Sequence, residues 1–213
     1  MSTKLIIIRH GQSIGNLNER FLGHTDLDLS EKGFKQAEIT AEYLRDVHID
    51  KIYSSDLIRA YHTVVPVAAS RDMDIITNNN LREIYAGEWE NMTYDYLTKH
   101  FPKEYTIWKT DIGNARCNGG ESVIELQKRI YTEFEKIAKD NDGNTICIGT
   151  HATPIRTFYA ACKSINKDDM HKIPWASNAS VTTAYYKNGK FEIEEYGYDK
   201  HLGELSSKFN SNI

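Results

Sequence analysis

A three-layer α/β/α fold, with a mostly parallel central sheet flanked by helices, is what this sequence predicts, and three observations carry the prediction. Over residues 5–77, apolar runs of strand length alternate with amphipathic helical stretches, the rhythm of parallel strands joined by right-handed crossovers. The first run, Leu5-Ile6-Ile7-Ile8, is continuous rather than alternating, mostly β-branched and too short for a helix, as expected of a strand covered on both faces. Finally, this strand and a later one at 145–149 each run into a histidine, Arg9-His10 in one case and Thr150-His151 in the other. Open sheets of this kind collect ligands beyond the carboxyl ends of their strands, so both histidines are expected at one edge of the sheet.

The remaining elements follow in order. A polar loop at 21–29, FLGHTDLDL, contains Gly23 and leads to Ser30, a good N-cap, with Glu31 favourable in the first turn. Phe34, Ala37, Ala41, Leu44 and Val47 recur at steps of three and four and lay one apolar stripe along the helix that follows. Residues 51–54 read as a short strand. Asp56 is expected to cap a second helix running to Ala68, which Pro66 should kink or end near Val65, and a third strand is expected at 73–77. Residues 81–120 break the rhythm: they are rich in Tyr and Trp, punctuated by Gly87, Pro102, Gly113 and Gly119, and offer short helical candidates at 94–100 and 103–109. About 84–120 is therefore read as a helical and irregular insertion capping the site edge of the sheet. Regular structure returns where Ser122 and Glu125 form a capping box, followed by the stripe Val123, Leu126, Ile130, Phe134 and Ile137. After the strand that ends at His151, Thr153 and Pro154 are expected to start a helix as cap and first residue. Two runs at 181–186 and 191–196, joined across Asn188-Gly189, predict a hairpin. With no repeat, low-complexity tract or linker, 1–213 is read as a single domain with a loose tail after Leu205.

Composition narrows the function classes. The 213 residues carry 26 basic and 30 acidic side chains, a formal net charge of -4, so there is no bulk electrostatic reason to seek nucleic acid or anionic lipid. Any anion site must be a local cluster. Cys117, Cys147 and Cys162 are odd in number and widely spaced, which argues against a disulfide framework and suits a reducing cytosol. The apolar run after Met1 is too short for a signal segment or a membrane span, and no later run is longer. The reading is a soluble, cytoplasmic protein without nucleic-acid or membrane partners; no signature sets its oligomeric state.

The candidate chemistry gathers at the strand ends. A guanidinium beside an imidazole suits a phosphoryl group, because Arg9 can fork onto two oxygens while His10 attacks phosphorus or donates to an oxygen. His151, standing before a helix N-terminus, also sits where an anion is welcome. Arg59, one turn into SSDLIRA, is within reach of the same edge. Glu83, in LREIYAGEWE, is the carboxylate best placed to act as acid or base. Taken alone, Arg59 fits a solvated helix face as well as an anion site, and Glu83 fits an ion pair with Arg82 as well as acid–base work.

With these residues in place, the chain resembles the histidine phosphatases of the phosphoglycerate mutase-like superfamily. RHGQSIGN at 9–16 fits the pattern R-H-G-x-S-x-x-N in full, and LDLSEKG, SSDLIRAYHT, LREIYAGEWEN and GTHATPIR follow in the family's order, with a looser match from Asn178 through Ser180 into the hairpin. The resemblance implies that His10 is a nucleophile forming a phosphohistidine, with Arg9, Arg59 and His151 around the phosphoryl oxygens. It further implies that Asn16, Ala152 and backbone near Gly23 contact substrate, and that Glu83 protonates the departing alkoxide and later activates water. It implies no metal and no cofactor. The sequence agrees in having no HExxH, no paired Cys/His spacing and no carboxylate cluster. Three positions depart from the pattern: Ala152 stands where the family usually has glycine, Asp28 where proline is usual, and Asn91 where glycine is frequent. The G-x-W-E run, GGES at 119–122 and His201-Leu202 resemble the phosphatase branch. The expected activity is metal-independent hydrolysis of a small phosphorylated metabolite; its rivals are a cofactor-dependent phosphoglycerate mutase and a non-catalytic phosphometabolite-binding protein. Tyr85, Trp89, Tyr94, Tyr96 and Trp108 fit either an apolar wall for the substrate or packing of the insertion.

Overall fold

The four apolar residues of the opening run lie in β1 (Thr3–Arg9), and all are at most 2% exposed. In this computed structural model, which describes residues 1–207, β1 lies inside a six-stranded sheet. Its other members are β3 (Lys51–Ser54), β4 (Ile75–Thr77), β6 (Thr145–Thr150), β7 (Val181–Lys187) and β8 (Lys190–Tyr198), in the order β4-β3-β6-β1-β7-β8. The pairs β4/β3, β3/β6 and β6/β1 are parallel, while β1/β7 and β7/β8 are antiparallel. Leu5 and Ile7 join the core under α6 (Val123–Asp140) and α7 (Ala152–Cys162), whereas Ile6 and Ile8 join the core under α2 (Glu31–Tyr43) and α3 (Ile58–Ala69). Alternate residues face opposite layers, so covering both layers produces the unbroken apolar run. No helix among the described residues is long and apolar enough to cross a membrane, and the three cysteines are unpaired.

Several local expectations hold. The predicted bounds of β3 are the observed ones. Ser122 and Glu125 exchange both capping-box hydrogen bonds, and the whole stripe Val123, Leu126, Ile130, Phe134, Ile137 is buried. Asn188 and Gly189 both take positive φ, 53° and 78°, as a two-residue hairpin of this twist requires. In the middle segment, α4 (Tyr94–His100) and α5 (Pro102–Thr110) form where helices were expected, and a two-residue ladder of β2 (Arg20–Phe21) with β5 (Met92–Thr93) ties the segment to the loop after the short helix α1 (Ile14–Leu17).

Others are corrected. Phe34 is 43% exposed because the buried side of α2 runs through Gly33, Gln36, Ala37, Thr40 and Ala41. Gly33 sets that register: a Cβ there would lie 2.1 Å from the Gln12 carbonyl oxygen, and one on Gly11 would lie 2.6 Å from the Gly33 oxygen. Asp56 does not cap α3. It is drawn onto Arg82, with Nε donating at 2.7 Å, and Asp26 accepts the Ile58 N–H instead at 2.7 Å. The helix continues past Pro66 to Ala69; burial of Val64, Val67 and Ala68 against the sheet offsets the ~3 kcal/mol that an internal proline costs. The third strand is shorter than expected. α7 begins at Ala152 with His151 as its extended N-cap, so Thr153 and Pro154 lie inside the first turn, where a missing N–H breaks no helical bond. Of the tail, 208–213 lies outside the described residues.

Candidate active site

The two histidines meet because β1 and β6 are hydrogen-bonded neighbours in a register that pairs Arg9 with Thr150. The His10 N–H donates to the Thr150 carbonyl at 2.9 Å, and the two rings end 5.2 Å apart, both buried. His10 Nδ1 lies 2.7 Å from the Gly11 carbonyl oxygen. A carbonyl only accepts, so Nδ1 holds the proton and Nε2 carries the lone pair. Burial, then the charges of Arg59 and Arg9, hold the His10 pKa well below 6.5, which keeps this imidazole neutral. His151 is likewise shifted down by burial and then by Arg59 and His10. Its Nε2 lies 2.8 Å from Ser55 Oγ, which also accepts the Leu57 N–H at 3.3 Å. His151 Nδ1 is buried without a hydrogen-bond partner among the described residues.

Both arginines are buried and gripped by carbonyls. Arg9 donates to Ala176 O at 2.6 Å. Arg59 donates to Thr25 O and Gly23 O, each at 2.8 Å; it is 1% exposed, so the solvated-face reading falls. Burial lowers the pKa of each to about 10, leaving both charged at neutral pH. Glu83 follows a 3₁₀ turn at Asn79–Leu81. Its Oε1 accepts the Ile84 N–H at 2.8 Å, and Oε2 accepts the Thr153 N–H from the first turn of α7 at 3.3 Å. Arg82 is engaged by Asp56, so no ion pair with Arg82 claims this carboxylate.

One cleft is lined by Arg9, His10, Asn16, Gly23, Arg59, Glu83 and Ala152, bringing all the sequence-derived residues together except His151, which lies buried beside His10. Asn16 Oδ1 accepts from Ser13 N–H and from the Asn178 amide, so its own amide N–H₂ is the end left to a ligand. Gly23 takes a φ of +52°, and a Cβ there would lie 2.3 Å from Glu90 Oε1. Ala152 fits within the cleft wall at 6% exposure. Of the aromatic residues, Tyr94 and Trp108 line the cleft, while Trp89 is buried edge-on against Phe21, Tyr105 and Trp108, and Tyr85 and Tyr96 are exposed.

Sequence reasoning missed Arg20 and Trp175 in the lining, Ser55 behind His151, and Glu90. Trp175 comes from an irregular segment, which has no periodicity to flag it. Glu90 sits inside a recognised motif, but only the folded loop reveals that four donors converge on its carboxylate: His24 N–H, Ala86 N–H, Thr25 N–H and the Thr25 hydroxyl. Among the described residues no three His, Cys, Asp or Glu side chains are grouped to hold a metal ion. The arrangement can accept a phosphoryl group between fixed cations, present a neutral imidazole Nε2 to phosphorus, and offer a carboxylate for proton transfer.

Comparison with known proteins identifies the family. The family described as histidine phosphatase superfamily (branch 1) matches residues 5–199. Phosphoserine phosphatase 1 of Hydrogenobacter thermophilus is 31% identical over 205 residues, 95% of each chain. Phosphoglycerate mutase-like protein 4 of Arabidopsis thaliana is 30% identical over 207 residues, 94% of this chain and 87% of that one. The solved structure of Bacillus stearothermophilus YhfR superposes with a TM-score of 0.90 at 29% identity, covering 94% of this chain and 99% of that one.

Proposed function

The chain belongs to the histidine phosphatase superfamily, and on that premise we propose that it is a phosphomonoesterase that needs no metal and works through a phosphohistidine on His10. The observation that carries this reading is the locked, neutral His10: Gly11 O holds the Nδ1 proton, and burial, then the charges of Arg59 and Arg9, disfavour a second one, so Nε2 is free to attack. A phosphoryl group sits among Arg9, Arg59 and His151, whose Nδ1 is buried without a partner among the described residues. As Nε2 bonds to phosphorus, the bond to the substrate oxygen breaks, and Glu83 delivers a proton to that oxygen. Positive charge appearing on the imidazole is met by Gly11 O. In the second half, Glu83 takes a proton from water as the water oxygen attacks phosphorus; the P–N bond breaks, and inorganic phosphate leaves with His10 restored. Asn16 and the α7 N-terminus at Ala152 support the bound anion, and the 84–120 segment acts as the cap over the leaving group.

Hydrolysis is favoured over phosphoryl return because, among the described residues, the cations lining the cleft are Arg9, Arg20 and Arg59. Of the cations on the capping segment, Arg116 donates to Glu125 and Gly120 O, Lys109 lies over the Tyr105 ring, and neither Lys99 nor Lys103 lines the cleft. A mutase needs basic groups to hold the second anionic end of its acid while water is kept out. The phosphatase name of a relative spanning 95% of both chains points the same way. A single labelled phosphoglycerate sample in EDTA tests the reading. Free phosphate is expected to form much faster than the isomer; isomer forming faster, stimulated by bisphosphoglycerate, or activity that returns only with a divalent ion would overturn it.

A further inference from the structure

We propose that Arg129, held by Glu121, is a positioning residue for Glu83, setting the place from which that carboxylate exchanges its proton; this rests on the reading of Glu83 as acid and base. Arg129 lies on the polar side of α6, and all five of its N–H donors are used. Nη1 donates to Asn80 O at 2.8 Å and Arg82 O at 3.0 Å, and Nη2 donates to Glu83 O at 3.1 Å. The remaining two donors, on Nε and Nη2, meet Glu121 Oε1 and Oε2 at 3.0 and 2.8 Å. One planar group thus gathers three carbonyls from the four residues that end at Glu83.

Glu121 fastens the far side of the same loop. Its backbone N–H donates to Tyr85 O at 2.8 Å, and its Oε2 accepts the Tyr85 N–H at 3.2 Å. One turn further along α6, the buried Glu133 accepts from the Asn78 and Asn80 amides at 2.8 Å each. The polar side of α6 therefore grips the chain from Asn78 to Tyr85. His24 adds a second donor to Glu83 O through Nε2 at 2.9 Å. Among the described residues the Glu83 side chain accepts only its neighbour's N–H and, at 3.3 Å, that of Thr153, so the carboxylate is placed by its backbone rather than by a grip on its own oxygens. A lysine at 129 has three donors radiating from one nitrogen and cannot span three carbonyls and a carboxylate.

The test reads a ratio of rates. Arg129→Lys, Arg129→Met and Glu121→Gln are each assayed for kcat/KM on an alkyl phosphate, whose leaving group needs a proton, and on 4-nitrophenyl phosphate, whose leaving group does not; Glu83→Gln is the reference. General acid catalysis is worth ~10²–10⁴-fold where the proton is needed, so Glu83→Gln should lose about that factor on the alkyl phosphate alone. The Arg129 variants should lose at least about tenfold on the alkyl phosphate and less than about threefold on the nitrophenyl ester, with KM little changed. Because both substrates are measured on one preparation, the ratio does not depend on how much protein is folded. Equal loss on the two substrates, total loss included, or no loss on either, overturns the positioning role when Glu83→Gln shows the selective pattern. If Glu83→Gln itself loses both equally, it is the acid assignment that fails.

Discussion

Replacing Glu90 by glutamine removes a charge without changing the shape of the side chain, and the structure allows its effect to be worked out. Oε1 accepts from His24 N–H at 2.8 Å and Ala86 N–H at 3.0 Å, and Oε2 from Thr25 N–H at 2.7 Å and Thr25 Oγ1 at 2.6 Å. Glutamine keeps one oxygen for two of these donors and sets an NH₂ against the other two. If the oxygen stays with His24 and Ala86, the Thr25 hydroxyl can turn to accept, but the Thr25 N–H faces another donor. If it turns the other way, two backbone donors are stranded. Hydrogen bonds to a charged group are worth ~1.5–3 kcal/mol each; losing one and weakening the rest gives an expected cost of about 2–4 kcal/mol. The same loop carries Gly23 O and Thr25 O, the two acceptors that hold Arg59, so the damage should reach the phosphoryl site. Urea unfolding should show the drop in stability, and inhibition by inorganic phosphate should weaken by about tenfold, a loss of ~1.4 kcal/mol in binding. A variant with unchanged unfolding midpoint and unchanged phosphate inhibition would refute this account of the loop.

Two further outcomes follow from the histidines. His10→Ala should abolish turnover while leaving a cooperative fold, and wild-type protein quenched in base during turnover should carry an acid-labile phosphoryl group that this variant lacks; normal turnover in the variant would defeat the mechanism. The second concerns pH. His10 and His151 have folded pKa values below the usual 6.5, so below pH 6.5 the unfolded chain binds protons that the folded one refuses. Stability is therefore full above pH 6.5 and falls as pH drops toward the folded values, by up to ~1.4 kcal/mol per unit for each residue. His10→Ala should flatten the decline between pH 6.5 and 5.5 by about 1 kcal/mol, read from denaturant unfolding at each pH; an unaltered slope would contradict the buried, neutral assignment.

The parts legible in the sequence were those written in periodicity and local chemistry. The run Leu5–Ile8 announced a strand between two layers, and the register of β1 with β6 made neighbours of His10 and His151, as two strand-end histidines implied. The capping box at Ser122 and the Asn188-Gly189 turn are decided by a few adjacent residues, and both formed as read. What escaped was decided by partners distant in the chain. Asp56 has the right chemistry and place for a cap, yet Arg82 claims it and Asp26 takes over. Phe34 satisfies the helical spacing, but backbone contact at Gly33 turns it outward. Glu90 and Arg129 look like ordinary charged residues until the loops they gather are folded around them.

The close approach of Gly11 and Gly33 bears on how this protein can change. The turn carrying His10 meets α2 backbone to backbone, with no side chain between them to shrink or rearrange, so that junction offers mutation almost no intermediate steps. The cleft lining also includes side chains, Tyr94, Trp108 and Trp175, held on short helices and irregular chain, where one substitution reshapes a surface without disturbing a strand. Variation is thereby channelled toward these aromatic side chains, while the backbone junction beside His10 stands still.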